Sequence, residues 1–141
     1  MLTRTLAFAM VLSLFTVGSA SAGGGGFVAD TSLTLNASPG TNVNPGTSMD
    51  FSGRLRSSRA FCEANSRVTL RAYSETQDDP FDGGVIRRTR TDGNGNYEFN
   101  NIVVNDQTRF RVWFRGKVGG VHPNLRVCHR SRSRTVTIFV N

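Results

Sequence analysis

The residues with the clearest chemical potential in this chain are its arginines. The 141 residues include 17 Arg and Lys against 10 Asp and Glu, which gives a formal net charge of +7, and Lys117 is the only lysine. A guanidinium group can bind phosphate or carboxylate through two parallel hydrogen bonds. In two segments arginine alternates with apolar residues, and these segments supply the candidate anion-binding residues: Arg67, Arg71, Arg109, Arg111, Trp113 and Arg115.

These candidate residues would form one cationic surface if the two segments were neighbouring strands. Trp113 and Tyr73 lie among the cations in the sequence and would offer ring faces for stacking. The ligands that fit such a surface are anionic wall polymers, acidic polysaccharides or, less naturally for an exported protein, nucleic acid. The alternative is a solvated face whose charges are offset by counterions. A further set of arginines would extend the surface: Arg126, Arg130, Arg132 and Arg134.

The sequence contains no recognisable catalytic arrangement. His122 and His129 are the only histidines, and neither belongs to a triad motif. Neither a G-x-S-x-G nor an H-E-x-x-H motif occurs. We therefore expect a non-enzymatic protein with no catalytic residue, no small-molecule substrate and no cofactor.

Two groups of oxygen-bearing side chains resemble the start of a calcium site. Asp92, Asn94 and Asn96 alternate as in a calcium-binding loop, but Tyr97 and Val103 stand where that loop needs Gly and a bidentate Glu. A tight turn is the favoured interpretation, because Gly and Asn adopt positive φ readily. The second group is better explained as a solvated acidic loop or as partners of arginine: Asp78, Asp79 and Asp82. No metal site is predicted.

The first 30 residues predict export. Arg4 precedes an apolar run over residues 6–17, and the triplet Ala20-Ser21-Ala22 follows, which is the pattern of a secretory signal peptide cleaved after Ala22. The apolar run is shorter than the roughly 20 residues that a spanning helix needs. The alternative is a retained N-terminal membrane anchor. Residues 23–30 begin with a glycine run and are interpreted as a linker, and a secreted or cell-surface location is expected.

The cysteine content also bears on export. Cys62 and Cys128 are the only two cysteines, and a small even number in an exported protein suggests a disulfide. Only one intramolecular pairing exists for two cysteines. The alternative is a pair of free, buried thiols.

The segments that must position these residues have the two-residue periodicity of half-buried β-strands. Seven candidate strands occur, at residues 33–36, 49–56, 67–73, 85–91, 97–100, 109–115 and 135–140. The fourth carries three arginines and is expected near a sheet edge. Residues 57–65 and 116–134 are interpreted as loops. The pattern is typical of an all-β sandwich or barrel, and seven strands of this length match a sandwich best. The predicted core residues are Phe51, Leu70, Tyr97, Phe99, Phe110, Val112, Phe114 and Ile138.

Several motifs within these strands resemble a known family. They are S-G-R-L at residues 52–55, V-T-L at 68–70, T-D-G-N-G-N-Y-E-F at 91–99, T-R-F-R-V at 108–112 and S-R-S-R-T-V-T-I at 131–138. Their spacing resembles bacterial immunoglobulin-like sandwich domains of exported proteins, similar in outline to carboxypeptidase-regulatory and collagen-adhesin B-type modules. The motif at 91–99 is similar to a hairpin of these domains. The resemblance covers residues 31–141, which we assign to one domain.

The resemblance implies a seven-stranded immunoglobulin-like antiparallel β-sandwich. In such a sandwich the third and sixth strands are neighbours, which would unite the arginine segments. The loops that carry Cys62 and Cys128 would emerge at the same end, so their sulfurs could meet. Family members serve as spacers, stalks, adhesion modules or carbohydrate-binding modules. The expected function is a structural or interaction module that binds another surface protein or an anionic wall polymer; the alternative is a polyanion- or carbohydrate-binding module acting through the arginine face.

Overall fold

The chain folds almost entirely as β-structure. The computed structural model describes residues 25–74 and 84–141, of which 61% lie in strands and 4% in a helix, so the all-β prediction is confirmed. The single helix of the described residues is α1 (Ala60–Glu63). The strands are β1 (Phe27–Ala29), β2 (Thr31–Leu33), β3 (Asn36–Ser38), β4 (Asn42–Val43), β5 (Thr47–Ser57), β6 (Arg67–Ser74), β7 (Gly84–Arg90), β8 (Asn96–Val104), β9 (Thr108–Phe114), β10 (Lys117–Gly119), β11 (Arg126–Cys128), β12 (Ser131–Arg132) and β13 (Val136–Val140).

A four-stranded sheet is built around β5, the longest strand. β2 and β3 pair with successive halves of β5 on one side, and β8 pairs with it on the other. The predicted strand at 33–36 is therefore wrong in its bounds, because the chain breaks there into β2 and β3. At the break Thr34 bonds to Arg54 twice, through its amide (3.1 Å) and its hydroxyl (2.9 Å). These local bonds replace the regular ladder.

A six-stranded sheet carries the arginine segments. Its order is β4-β13-β9-β6-β7, and β12 also pairs with β9. The expected pairing of the third and sixth candidate strands is confirmed as β6 against β9. The expected edge position of the fourth candidate strand is confirmed as well, because β7 ends the sheet.

The core lies between these two sheets. All eight predicted core residues are buried, with exposed fractions of 0–3%. The rings of Phe51 on β5 and Phe110 on β9 meet across the core, with centroids 4.6 Å apart. Tyr97 is buried with its hydroxyl donating to the carbonyl of Thr34, and burial raises the pKa of that hydroxyl above its usual value. Because β5 and β8 face β6 and β9 through this core, the opposite surface of the six-stranded sheet is left to the arginines.

A third, small sheet was not anticipated by the sequence patterns. β11 is its central strand, with β1 parallel on one side and β10 antiparallel on the other. The prediction of a long loop at 116–134 is therefore wrong, since β10, β11 and β12 lie within it. The linker assignment of 23–30 is wrong at its end, since β1 occupies 27–29. Strands of two or three residues are too short to show a two-residue period, and their partners are distant in sequence.

The predicted disulfide is confirmed. Cys62 and Cys128 are bonded, with their Cα atoms 5.6 Å apart, and the described residues contain no free cysteine. Cys62 lies on α1 rather than in an irregular loop, and Cys128 ends β11. Lys117 on β10 reinforces this junction, because its Nζ donates to the carbonyls of Phe61 (2.8 Å) and Ala64 (2.7 Å) at α1. The small sheet is thus fastened to α1 by a covalent bond and two hydrogen bonds.

The predicted tight turn at residues 92–96 is confirmed, but it is not a hairpin. It joins β7 of the six-stranded sheet to β8 of the four-stranded sheet. Asp92 Oδ1 accepts hydrogen bonds from the amides of Asn94 (2.8 Å) and Asn96 (2.9 Å), and these bonds lower the pKa of the Asp92 carboxyl. Gly95 has a φ of +85°, and an added Cβ would lie 2.1 Å from the carbonyl oxygen of Leu55.

Two sequence predictions fall on residues outside the described ranges. They are the signal peptide at 1–22 and the acidic loop of Asp78, Asp79 and Asp82. Within residues 25–74 and 84–141, no helix has the length and apolar character of a bilayer span. The same residues contain no group of three or more His, Cys, Asp or Glu side chains arranged to hold a metal ion.

Candidate anion-binding site

Five of the six candidate anion-binding residues lie on the outer face of the six-stranded sheet, and the sixth directly follows β9. We call all six the arginine layer (Arg67, Arg71, Arg109, Arg111, Trp113 and Arg115). The register of β6 against β9 places Arg71 directly opposite Arg111. The same register places Trp113 opposite Thr69. The core-facing side chains on β9 are Phe110, Val112 and Phe114. Strand alternation therefore forces the cations to the other face.

Part of this layer surrounds a pocket of about 570 Å³. Arg71 and Arg115 of the layer line it together with Trp113, and Arg130 and Arg132 complete it from the segment after β11. Phe114 and Ser131 contribute the rest of the described lining. We call this the arginine pocket: its described lining includes four arginines and no acidic residue.

Strand β12 explains why two distant arginines reach this pocket. Arg132 pairs with Trp113 and Ser131 pairs with Phe114 in the β12–β9 ladder. Ser133, directly after β12, is buried; its amide donates to the carbonyl of Val112 (2.9 Å) and its hydroxyl accepts from the amide of Val112 (2.9 Å). These contacts fix the wall of the pocket to β9.

Trp113 organises the cations rather than presenting an open ring. The Cζ atoms of Arg71 and Arg132 lie 5.6 Å and 5.5 Å from the centroid of the indole, within cation–π range. The indole Nε1 donates to the hydroxyl of Tyr73 at 2.9 Å. The expectation that Tyr73 offers a stacking surface is wrong, because its side chain is only 3% exposed beside Arg109 and Trp113 of β9.

Two arginines of the layer act on the backbone. Arg109 donates to the carbonyl of Ser74 (3.1 Å), and Arg111 donates through Nε to the carbonyl of Ser133 (2.7 Å). Burial lowers the pKa of the Arg111 guanidinium from its usual value, and the neighbouring charge of Arg132 lowers it further. Arg111 therefore supports the pocket wall instead of lining the pocket. Arg67 lies at the start of β6 opposite Arg90 of β7 and also lies outside the pocket lining.

The suggested extension of the surface holds for two of its four arginines. Arg130 and Arg132 line the pocket, whereas Arg126 stacks on Phe61 at 4.0 Å and Arg134 donates to the carbonyl of Leu35 at 3.2 Å. The sequence carries a signal for this region, because eight basic residues and no Asp or Glu follow Asp106. No periodic pattern separates the lining pair from the other two.

The sequence analysis did not identify the surface pair formed by His129 and Asp30. His129 Nδ1 lies 2.7 Å from Asp30 Oδ1, although the two residues are 99 positions apart. Both side chains are exposed, by 54% and 94%. Thr31 strengthens the same contact by donating to the carbonyl of His129 at 2.8 Å. The pair links the end of β11 to the junction of β1 and β2.

The sequence matches no protein-family model, and no curated protein matches it at a significant level.

Proposed function

We propose that the chain is an exported, non-enzymatic interaction module with an immunoglobulin-like β-sandwich, and that its arginine pocket binds an anionic polymer of the cell surface. The observation that carries this proposal is that four arginines line one pocket, one from β6, one directly after β9 and two from the segment at 130–132. The polymer classes that fit are acidic polysaccharides and anionic wall polymers.

The fold part of the proposal rests on strand order and motif spacing. The two large sheets consist mainly of antiparallel strand pairs and pack on one core. The chain crosses from one to the other at the turn of residues 92–96. This turn lies inside the motif at 91–99 that resembles the family. The export part rests on the signal-like pattern at the N-terminus. The Cys62–Cys128 bond agrees with export, since disulfides persist in oxidising compartments.

The physical basis of binding is the electrostatic attraction between the arginines of the pocket lining and a polyanion, which releases condensed counterions when it binds. The guanidiniums of Arg71 and Arg132 are held against Trp113, so less side-chain freedom is lost when a ligand binds. The site therefore combines high charge density with partial preorganisation.

The aromatic groups favour a saccharide or wall polymer over single-stranded nucleic acid. Proteins that bind single strands use accessible aromatic rings on which successive bases stack. Here Tyr73 is buried and Trp113 already contacts two guanidiniums. The pocket is therefore better suited to recognise the charge and shape of a polymer than to stack against nucleic-acid bases.

Retention on heparin resin across a salt gradient tests the proposal, with heparin as a sulfated polysaccharide probe. The triple variant Arg115→Gln, Arg130→Gln, Arg132→Gln should elute at clearly lower salt than the wild type. A matched control removes the same charge from arginines outside the pocket lining: Arg56→Gln, Arg88→Gln and Arg90→Gln. Equal elution of the two triple variants would show that only net charge matters and would contradict a specific pocket.

A further inference from the structure

The two large sheets meet at an open seam on the side where β7 and β8 lie. β7 ends the six-stranded sheet, and among the described strands β8 pairs only with β5. Arg87 of β7 donates a hydrogen bond to the carbonyl of Asn100 on β8, which joins the two edge strands across the seam. The described residues show no ladder between β7 and β8, so side-chain contacts such as this one close the seam.

Each of these two edge strands carries a β-bulge at the seam. On β8 both Asn100 and Asn101 lie opposite Asp50 of β5, and Asn101 has a φ of 59°. On β7 the extra residue is Ile86, at the register shift beside Arg71 of β6. Bulges bend a strand and re-aim its side chains, and they are over-represented at sheet edges and beside active sites. The two bulges therefore interrupt the regular packing on both sides of the seam.

A cavity of about 310 Å³ lies between the bulges, and we call it the seam pocket. Core side chains form its floor: Ile102, Val104 and Phe110, with exposed fractions of 3–5%. Polar residues form its rim: Arg87, Asn101, Asn105, Asp106 and Thr108. The volume lies at the lower end of the range for small-molecule sites, which is about 300–1,000 Å³. An apolar floor with a few polar groups is also the usual composition of such sites.

Hydrogen bonds fix the backbone that carries this rim. The amide of Asn101 donates to Asp50 Oδ1 at 3.0 Å, so the bulge of β8 is fastened to β5. The hydroxyl of Thr108 donates to the carbonyl of Asp106 at 2.8 Å, which closes the turn between β8 and β9. The rim positions are thus set before a ligand binds, and this lowers the ordering cost of binding.

The chemistry of the lining matches a neutral saccharide. Arg87 and Asp106 are the only charged residues of the described lining, and their opposite signs mean that the pocket selects for no net charge. Asparagine amides and a threonine hydroxyl can together donate and accept hydrogen bonds, as the hydroxyls of a sugar require. The apolar floor offers a contact surface for the C–H face of a sugar ring.

We propose that the seam pocket binds one sugar residue of a neutral saccharide. Asn105 and Asp106 would bond to ring hydroxyls, while Phe110 and its neighbours in the floor would contact the apolar face of the ring. This inference does not rest on polymer binding, because the seam pocket and the arginine pocket share no described lining residue. An added peptide strand is the less favoured occupant, since the bulges interrupt the backbone edges with which it would pair.

NMR titration of the isotope-labelled full chain tests the proposal, with maltotriose, cellotriose and chitotriose as neutral probes. The amides of Asn101, Asn105 and Asp106 should shift with at least one of these probes. The amides of Arg71 and Arg132, in the arginine pocket, should not shift. Unmoved rim amides with all three probes would overturn the proposal.

A double variant sharpens the test. Asn105→Ala, Asp106→Ala removes two exposed rim side chains and should weaken binding of the active probe about tenfold, because two hydrogen bonds to the ligand are lost. The matched control is Glu98→Ala, Asn124→Ala, which removes one carboxylate and one amide from exposed positions outside the described lining. Equal affinities of the two double variants would contradict binding in the seam pocket.

The remaining outcomes separate this site from other sites and other ligands. Saccharide shifts at Trp113 in place of the rim would overturn the proposal by assigning the sugar to the arginine pocket. A neutral peptide of alternating valine and threonine that shifts β7 and β8 while the saccharides do not would assign the seam to strand addition. Heparin retention should be equal in the two double variants, since each loses one carboxylate, so polymer binding can fail or hold independently of this result.

Discussion

The arginine layer and the small sheet differ in how their positions are determined. The layer is carried by β6 and β9, strands of eight and seven residues whose inward side chains belong to the core. The small sheet has strands of three residues, and it is held by one disulfide, cation–π contacts and the two hydrogen bonds of Lys117. A binding surface on long strands inherits the stability of the core, whereas a surface on short strands depends on local fastenings.

The largest expected effect comes from the core beneath the arginine layer. Phe110→Ala removes a side chain that packs against Phe51 and should lower the free energy of unfolding by about 3–5 kcal/mol. Denaturant unfolding provides the measurement, and Val103→Ala, on an exposed face, serves as the control. A loss below about 1 kcal/mol would show that β9 is turned by one residue and that the layer is not backed by the core.

Removal of the disulfide should separate the two regions. The double variant Cys62→Ala, Cys128→Ala opens a loop with a sequence separation of 66 residues and should cost about 2–4 kcal/mol of unfolding free energy. Hydrogen exchange should increase first in β1, β10 and β11, while β6 and β9 stay protected. Equal loss of protection in all five strands would refute the distinction between local fastening and core support.

A smaller effect is expected from Trp113→Phe. The substitution keeps an aromatic ring but removes the hydrogen bond to the buried Tyr73 hydroxyl, which should cost about 1–2 kcal/mol of unfolding free energy. Arg71 and Arg132 would also lose their preferred indole partner, so heparin elution should shift to lower salt. The measurement pairs thermal unfolding with the salt gradient. Lowered stability with unchanged elution would limit Trp113 to a structural role.

The smallest effect concerns the turn that joins the two large sheets. The pKa of Asp92 is lowered from 3.8 in the folded chain, mainly by the amides of Asn96 and Asn94. A lowered carboxyl pKa contributes stability above pH 3.8 that is lost as the pH falls through the folded pKa. Melting curves between pH 2 and pH 6 should therefore show a steeper acid loss in the wild type than in Asp92→Asn. Parallel pH profiles would contradict this contribution.

The features that could be predicted are those set by local periodicity. Alternation in β5, β6, β8 and β9 fixes which side chains enter the core, and all eight predicted core residues are buried. The pairing of β6 with β9 follows once the sandwich is assumed. The disulfide could be predicted because the chain was expected to be exported and its two cysteines allow only one intramolecular pairing.

The features that could not be predicted depend on contacts distant in sequence. Nothing near Phe27 indicates that its strand pairs with residues 126–128, about 100 positions later. Arg130, Arg132 and Arg134 look alike in the sequence. Arg130 and Arg132 line the pocket because β12 pairs with β9, and the charge pattern alone does not show this pairing. The burial of Tyr73 also involves a residue distant in sequence, because Trp113 of β9 donates a hydrogen bond to its hydroxyl.

Lys117 has a practical consequence for handling the molecule. It is the only lysine in the sequence, and its ammonium group is held by two carbonyls and stacked 4.4 Å from the centroid of Phe61. A lysine-specific endoprotease therefore has one internal cleavage site, at the root of the β10–β11 hairpin. Cys62 and Cys128 lie on opposite sides of that site, so the two fragments stay joined until a reductant is added. Resistance of the native chain to cleavage at Lys117 therefore reports whether the β10–β11 hairpin is folded, and the assay leaves the arginines unmodified.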